Sequence, residues 1–202
     1  MIKDDKLEKL HSEVLEKEKM IGKSRHAIEK GLESDLQTLA DFENAEEFFQ
    51  SIAYMTAQAK ATRAEEYFIH KLGQIKVSAS DDCGDGFDES TGFYYEYKIS
   101  TTNKNQKINA VQIRLWQKID FYILAYIDED EFRNSKIYLI PHEDMIDLVE
   151  TFGSAAHGTT TANVSNQHVE FALRPSMKKV GRLEEVLGNY RSLELMNKVF
   201  GW

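Results

Sequence analysis

The chain has 202 residues, a formal net charge of −9 and an ordinary globular mix, 42% hydrophobic and 29% charged, with an isoelectric point near 5.2. That length supports one sizeable core, and the acidic balance argues against a nonspecific polyanion binder held by bulk charge. The single cysteine, Cys83, excludes an internal disulfide, MIKDDKLEKL shows no apolar leader and FYILAYI is the longest apolar run, so the expectation is a soluble, cytoplasmic protein.

The first third reads as helix. Leu7, Leu10 and Val14, then Leu32, Leu36 and Leu39, recur at three- and four-residue spacing among Lys and Glu. Asn44 followed by Glu47 predicts a helix N-terminus with a capping box. A long helical stretch follows, AEEFFQSIAYMTAQAKATRAEEYFIHKLG, breaking once before Ala61 and stopping at Gly73. QIKVSAS is a short strand candidate, DDCGDGFDESTG is turn-rich and FYYEYKIS is an aromatic strand. NAVQIRLWQKI has helical spacing through Val111, Leu115 and Trp116, and DFYILAYI predicts a buried central strand. KIYLI is a further strand ended by Pro141, HEDMIDLVETFG a helix stopped by Gly153, SAAHGTTTANVSN a polar loop and HVEFALR an alternating strand. RLEEVLGNYRSLELMNKVF closes the chain as one helix. The order predicts a mixed α/β domain over 1–202, with a helical region at 1–60, a core at 61–140 and closing elements at 141–202.

Chemistry concentrates around the aromatic strand. Residues two apart share a strand face, so Glu96 and Lys98 point together while Tyr95, Tyr97 and Ile99 point the other way. Upstream, Asp85 stands between Gly84 and Gly86, and a hairpin from there brings two carboxylates side by side. Two carboxylates, the Tyr97 carbonyl and waters suit Mg²⁺, a hard octahedral cation. Lys98 beside such a metal would orient or deprotonate water and shield developing negative charge. From Lys98 to Lys118 the chain carries Lys104, Lys107 and Arg114 and no acid, a locally basic stretch in an acidic chain.

GD, a variable turn, then YYEYKIS resembles the PD-(D/E)xK nuclease superfamily, which includes most type II restriction endonucleases. The resemblance covers roughly residues 60–140 and implies a restriction-endonuclease-like core: a helix, three antiparallel strands, a helix and a further strand. It maps the catalytic set onto Asp85, Glu96 and Lys98, with Asp88 a rival for the first acid and Gly84 where a proline often stands. It implies a further metal-site glutamate on the preceding helix, Glu65 or Glu66, with Glu66 the choice, and places Gln112 and Arg114 near the scissile phosphate. On this reading Lys104, Lys107 and Lys118 become phosphate contacts. The polar loop, through His157, Thr159, Asn163 and Asn166, becomes a reader of base edges. The implied activity is Mg²⁺-dependent hydrolysis of double-stranded DNA at a specific sequence. It implies a homodimer matched to a palindrome, or a heterodimer with one chain per strand. A repair or phage-type nuclease with little sequence preference, and a non-cleaving DNA-binding module of the same fold, are the alternatives.

Overall fold

The computed structural model of the chain describes residues 42, 44–78, 81–101, 108–155, 169–173 and 180–202, all within the unit Phe42–Trp202. The helical reading of residues 1–41 lies outside them, as do Lys104, Lys107, His157, Thr159, Asn163 and Asn166.

Helix α1, Ala45–Ile52, starts where Asn44 accepts a hydrogen bond from the Glu47 backbone N–H at 2.9 Å, with Glu46 and Glu47 in its first turn. Helix α2, Ala57–Lys71, starts at Thr56, whose hydroxyl accepts from the Ala59 N–H. The expected break before Ala61 therefore falls at 53–56, and the chain turns away at Gly73, where φ is +67°. The two helices meet through rings: Phe48 stacks on Tyr67 at 4.1 Å between centroids.

Strands β1 (Ile75–Lys76), β2 (Gly86–Asp88), β3 (Phe93–Thr101), β5 (Phe121–Ile127) and β6 (Lys136–Pro141) form a mixed five-stranded sheet in that spatial order. β1, β2 and β3 pair antiparallel, β3 and β5 parallel, β5 and β6 antiparallel. From Tyr122 to Ile127 every β5 residue is buried, as the unbroken apolar run predicts for an interior strand. A second, three-stranded sheet has the order β4 (Ala110–Ile113), β8 (Phe171–Leu173), β7 (Ser154–Ala155).

The large sheet is covered on both faces. On one, Tyr122, Leu124, Tyr138 and Ile140 pack with helix α3 (His142–Phe152), the small sheet, and Leu183 and Leu187 of helix α4 (Val180–Gly188). On the other, Phe68 of α2 meets Tyr97 edge-on, and Phe200 of helix α5 (Leu193–Phe200) meets Phe68 and Phe132. No helix among the described residues is long and apolar enough to cross a membrane.

Two elements differ from the sequence expectation. NAVQIRLWQKI is not a helix: Ala110–Ile113 is strand β4, and 115–117 turns toward β5. One extra residue in β4 puts Ala110 and Ile113 on the same buried side, which imitates helical spacing. The closing helix is two helices. Between them Tyr190, Arg191 and Ser192 run along the outer edge of β6: Leu139 N–H donates to the Tyr190 carbonyl and Ser192 N–H to the Ile137 carbonyl, both at 2.9 Å. Ser192 then caps α5 by accepting from the Leu195 N–H.

Candidate active site

The β2–β3 hairpin sets the site. Gly86 pairs with Tyr95, so the same register puts Asp85 across from Glu96. The pairing turns irregular at that point: the Asp85 N–H donates to the Tyr95 carbonyl at 2.8 Å, the Asp85 carbonyl accepts from Val77 N–H, and the Asp85 carboxylate, through Oδ2, accepts from Tyr97 N–H at 2.9 Å. The carboxylate thus takes a place that a ladder carbonyl would fill, beside the acid of β3. Glycine at 84 is what permits this. Its φ is +81°, and a Cβ there would lie 2.6 Å from the Tyr95 carbonyl oxygen and 2.8 Å from Ile119.

Glu96 is buried, at 2% exposure. Its Oε1 accepts from Lys98 Nζ at 2.5 Å, while Oε2 is buried with no hydrogen-bond partner. Burial pushes the Glu96 carboxyl above the usual range; Lys98 and Arg114 pull it back, and the nearby Asp85 charge adds to the rise. Glu96 also sits beside Tyr122, its register partner on β5. The Tyr122 phenol is raised by burial and then by the Glu96 charge.

The glutamate that α2 contributes to this field is Glu65. Its carboxyl is pushed up to about 7, first by burial and then by Asp85, with Glu96 adding to the rise and Lys76 and Lys98 opposing it. Glu66, the residue chosen from sequence, shares Lys76 with Glu65, its Oε1 accepting from that lysine at 3.2 Å, and its Oε2 also accepts from Arg63 at 3.4 Å. The signal that separates them is the seating of the helix on β3. Glu65 lies three residues before Phe68, the ring that rests on Tyr97, and so shares its flank of the helix. Asp88 is set apart from Glu96 as well. It pairs with Phe93 at the far end of the hairpin and accepts from Ser90 through both N–H and hydroxyl.

The remaining sequence-derived residues divide. Arg114 is near enough to lower the Glu96 carboxyl, and its Nε donates to Glu170 Oε1 at 2.8 Å. The Lys118 backbone N–H donates to the Asp82 carbonyl at 2.7 Å, docking its segment on the acid loop, while its side chain is exposed. Gln112 is exposed in β4. Sequence reasoning missed Lys76, which bridges Glu65 and Glu66, and Glu170.

Burial and the Asp85 charge both raise the Glu65 and Glu96 carboxyls, and one Glu96 oxygen is buried without a partner; this grouping has the donor chemistry of a hard-cation site. Among the described residues, no three His, Cys, Asp or Glu side chains are already gathered into a metal cage. Lys98 holds one oxygen of Glu96, and Glu65 stands beside the pair of acids in electrostatic range. In comparison with known proteins, the chain matches no family model and no curated sequence.

Proposed function

We propose that this chain is a Mg²⁺-dependent endonuclease that hydrolyses DNA phosphodiester bonds, of the restriction-endonuclease-like kind. The observation that carries the reading is the β2–β3 hairpin, which joins Asp85 to the Tyr97 backbone opposite a buried Glu96 already paired with Lys98. The order of elements supports it: helix α2, antiparallel β1 to β3, then β5 parallel to β3. The crossover departs from the implied pattern, since β4 stands in place of its helix.

Asp85 and the free oxygen of Glu96 would hold the metal, with Glu65 as the third carboxylate and the Tyr97 carbonyl as a further donor. The cation, when bound, would polarise a phosphate oxygen and acidify water. Lys98 holds its ammonium against Glu96, where it orients the attacking water and offsets charge growing on the phosphate. Burial around Glu96 keeps bulk water from screening that charge. Arg114 and Lys118, on the segment docked against the acid loop, supply positive charge for the backbone of the substrate. Lys104 and Lys107 extend that stretch in sequence, and the segment holding His157, Thr159, Asn163 and Asn166 is the base-reading candidate. One site per chain cuts one strand, so two chains, by default a homodimer, act on a duplex.

The test is digestion of long double-stranded DNA in Mg²⁺, run on a gel beside a chelator arm and the Glu96→Gln variant. Discrete bands that vanish in both controls support a sequence-specific nuclease. A smear that vanishes in both marks a nuclease without sequence preference, and uncut DNA removes the nuclease reading.

A further inference from the structure

Strand β4 carries one residue more than its partner. Ala110 pairs with Leu173 and Ile113 with Phe171, so Val111 and Gln112 together face Ala172. Gln112 absorbs the extra residue at φ +56°, the one non-glycine among the described residues with positive φ. A side chain held there is strained, and such strain persists where the fold needs the resulting geometry.

Parity shows what the bulge achieves. Ala110 and Ile113 both lie in the core beneath α3. With regular alternation they would face opposite ways, and Arg114, four residues after Ala110, would share the face of Ala110 and enter that apolar core. The extra residue turns Arg114 out of it. In the same register Glu170 is its cross-strand partner, and the Arg114 Nε–H meets Glu170 Oε1 at 2.8 Å. A second tie fixes the backbone: the Tyr122 hydroxyl donates to the Arg114 carbonyl at 3.2 Å. Tyr122 is the β5 residue in register with Glu96, so the arginine is fastened to the strand that flanks the buried acid.

We infer that Glu170 is a positioning residue: it holds the Arg114 guanidinium by its Nε edge, so that the Nη donors meet a backbone phosphate beside the Glu96–Lys98 pair. Guanidinium has five N–H donors in a rigid plane, and one contact with Glu170 leaves the opposite edge for two parallel bonds to a phosphate. A lysine at 114 has no second edge to be held by. Glu170 needs no contact with substrate; it acts by aim, and leaves the charge of Arg114 in place.

The inference rests on the nuclease reading, and the experiment separates the two. Duplex binding is followed by fluorescence anisotropy in Ca²⁺ across a salt series, and cleavage in Mg²⁺ by steady-state kinetics. The proteins are wild type, Arg114→Ala, Glu170→Ala, Glu170→Gln and the Arg114→Ala/Glu170→Ala double variant. Arg114→Ala makes the slope of log affinity against log salt shallower by about one. Glu170→Ala keeps the wild-type slope yet lowers kcat about tenfold, a loss in the range of a displaced contact. Glu170→Gln, whose amide oxygen still accepts from Nε, recovers most of that loss, and the double variant is no slower than Arg114→Ala alone. Wild-type kcat in Glu170→Ala, an unchanged slope in Arg114→Ala, or an equal Glu170→Ala loss in the Arg114→Ala background overturns the inference while the nuclease reading stands. Wild-type protein that neither binds nor cuts DNA overturns both.

Discussion

Replacing Lys98 with Met tests the electrostatics of the site without any substrate. The Lys98 ammonium is the one hydrogen-bond partner described for the Glu96 carboxylate, which is 2% exposed and has its second oxygen already unpartnered. Methionine keeps the length and packing of the lysine stem and removes the charge. Removing one member of a buried pair costs about 3–5 kcal/mol when the other stays charged. Glu96 can take a proton instead, which holds the cost near the lower end, at about 3 kcal/mol. The folded-state carboxyl is raised above its unfolded value in the wild type, and without Lys98 it rises further. A carboxyl raised on folding stabilises the fold below its unfolded value, about 4.3, and loses that contribution as pH climbs through the folded value. The gap between variant and wild type therefore opens with pH, smaller at pH 5 and approaching about 3 kcal/mol at pH 8. Urea unfolding at the two pH values measures it. Glu96→Gln added to Lys98→Met should flatten the pH dependence. A gap of equal size at pH 5 and pH 8, or a larger one at pH 5, refutes the assignment of a buried, lysine-compensated acid.

Metal should stabilise the protein more at pH 8 than at pH 6, because Glu65, raised to about 7 by burial and then by Asp85, must lose its proton to act as a ligand. Without metal the sign is opposite: the raised carboxyl favours the fold at acid pH and withdraws that support as pH rises through about 7. With Mg²⁺ at about ten times its dissociation constant the gain is about 1.4 kcal/mol. Thermal melts at both pH values read it, and Glu65→Gln should remove the pH difference that Glu66→Gln retains; equal gains at both pH values in the wild type would count against Glu65. Gly84→Ala should cost about 2–4 kcal/mol, from the left-handed φ and from the 2.6 Å approach of its Cβ to the Tyr95 carbonyl. Gly92→Ala, at φ +75° with open space around it, should cost only about 1–2 kcal/mol. Urea midpoints compare them, and equal losses would show that the contact with Tyr95 yields freely.

What could be read from sequence was what neighbouring residues decide. The alternation of FYYEYKIS put Glu96 and Lys98 on one face, and the paired glycines around Asp85 marked the turn that returns it to Glu96. The caps at Asn44 and Gly153 and the apolar run of β5 are local in the same sense. β4 was illegible because a bulge converts a period of two into a spacing of three, and its cause, pairing with β8, lies some sixty residues away. In the closing segment Gly188 and Asn189 before Ser192 were a legible stop and restart, outweighed by apolar periodicity that continued on both sides. Glu65 and Glu66 differ by one step around a helix, and only the seating of Phe68 on Tyr97 decides between them. The Arg114–Glu170 pair needed a strand register that nothing near either residue announces.

The run along the edge of β6 bears on how the chain is made. Residues 190–192 pass around the rim of the sheet, with Leu183 and Leu187 of α4 in the core on one side and Phe200 of α5 among Phe68 and Phe132 on the other. A ribosome delivers the hairpin and its acids long before it delivers this segment. Until then the nascent sheet has a bare edge strand and two unfinished apolar faces, the state most open to a chaperone or to pairing with a neighbouring chain. The candidate site residues just before β2 and on β3 are thus translated early, while the surfaces that enclose their sheet are completed only after Tyr190 has emerged.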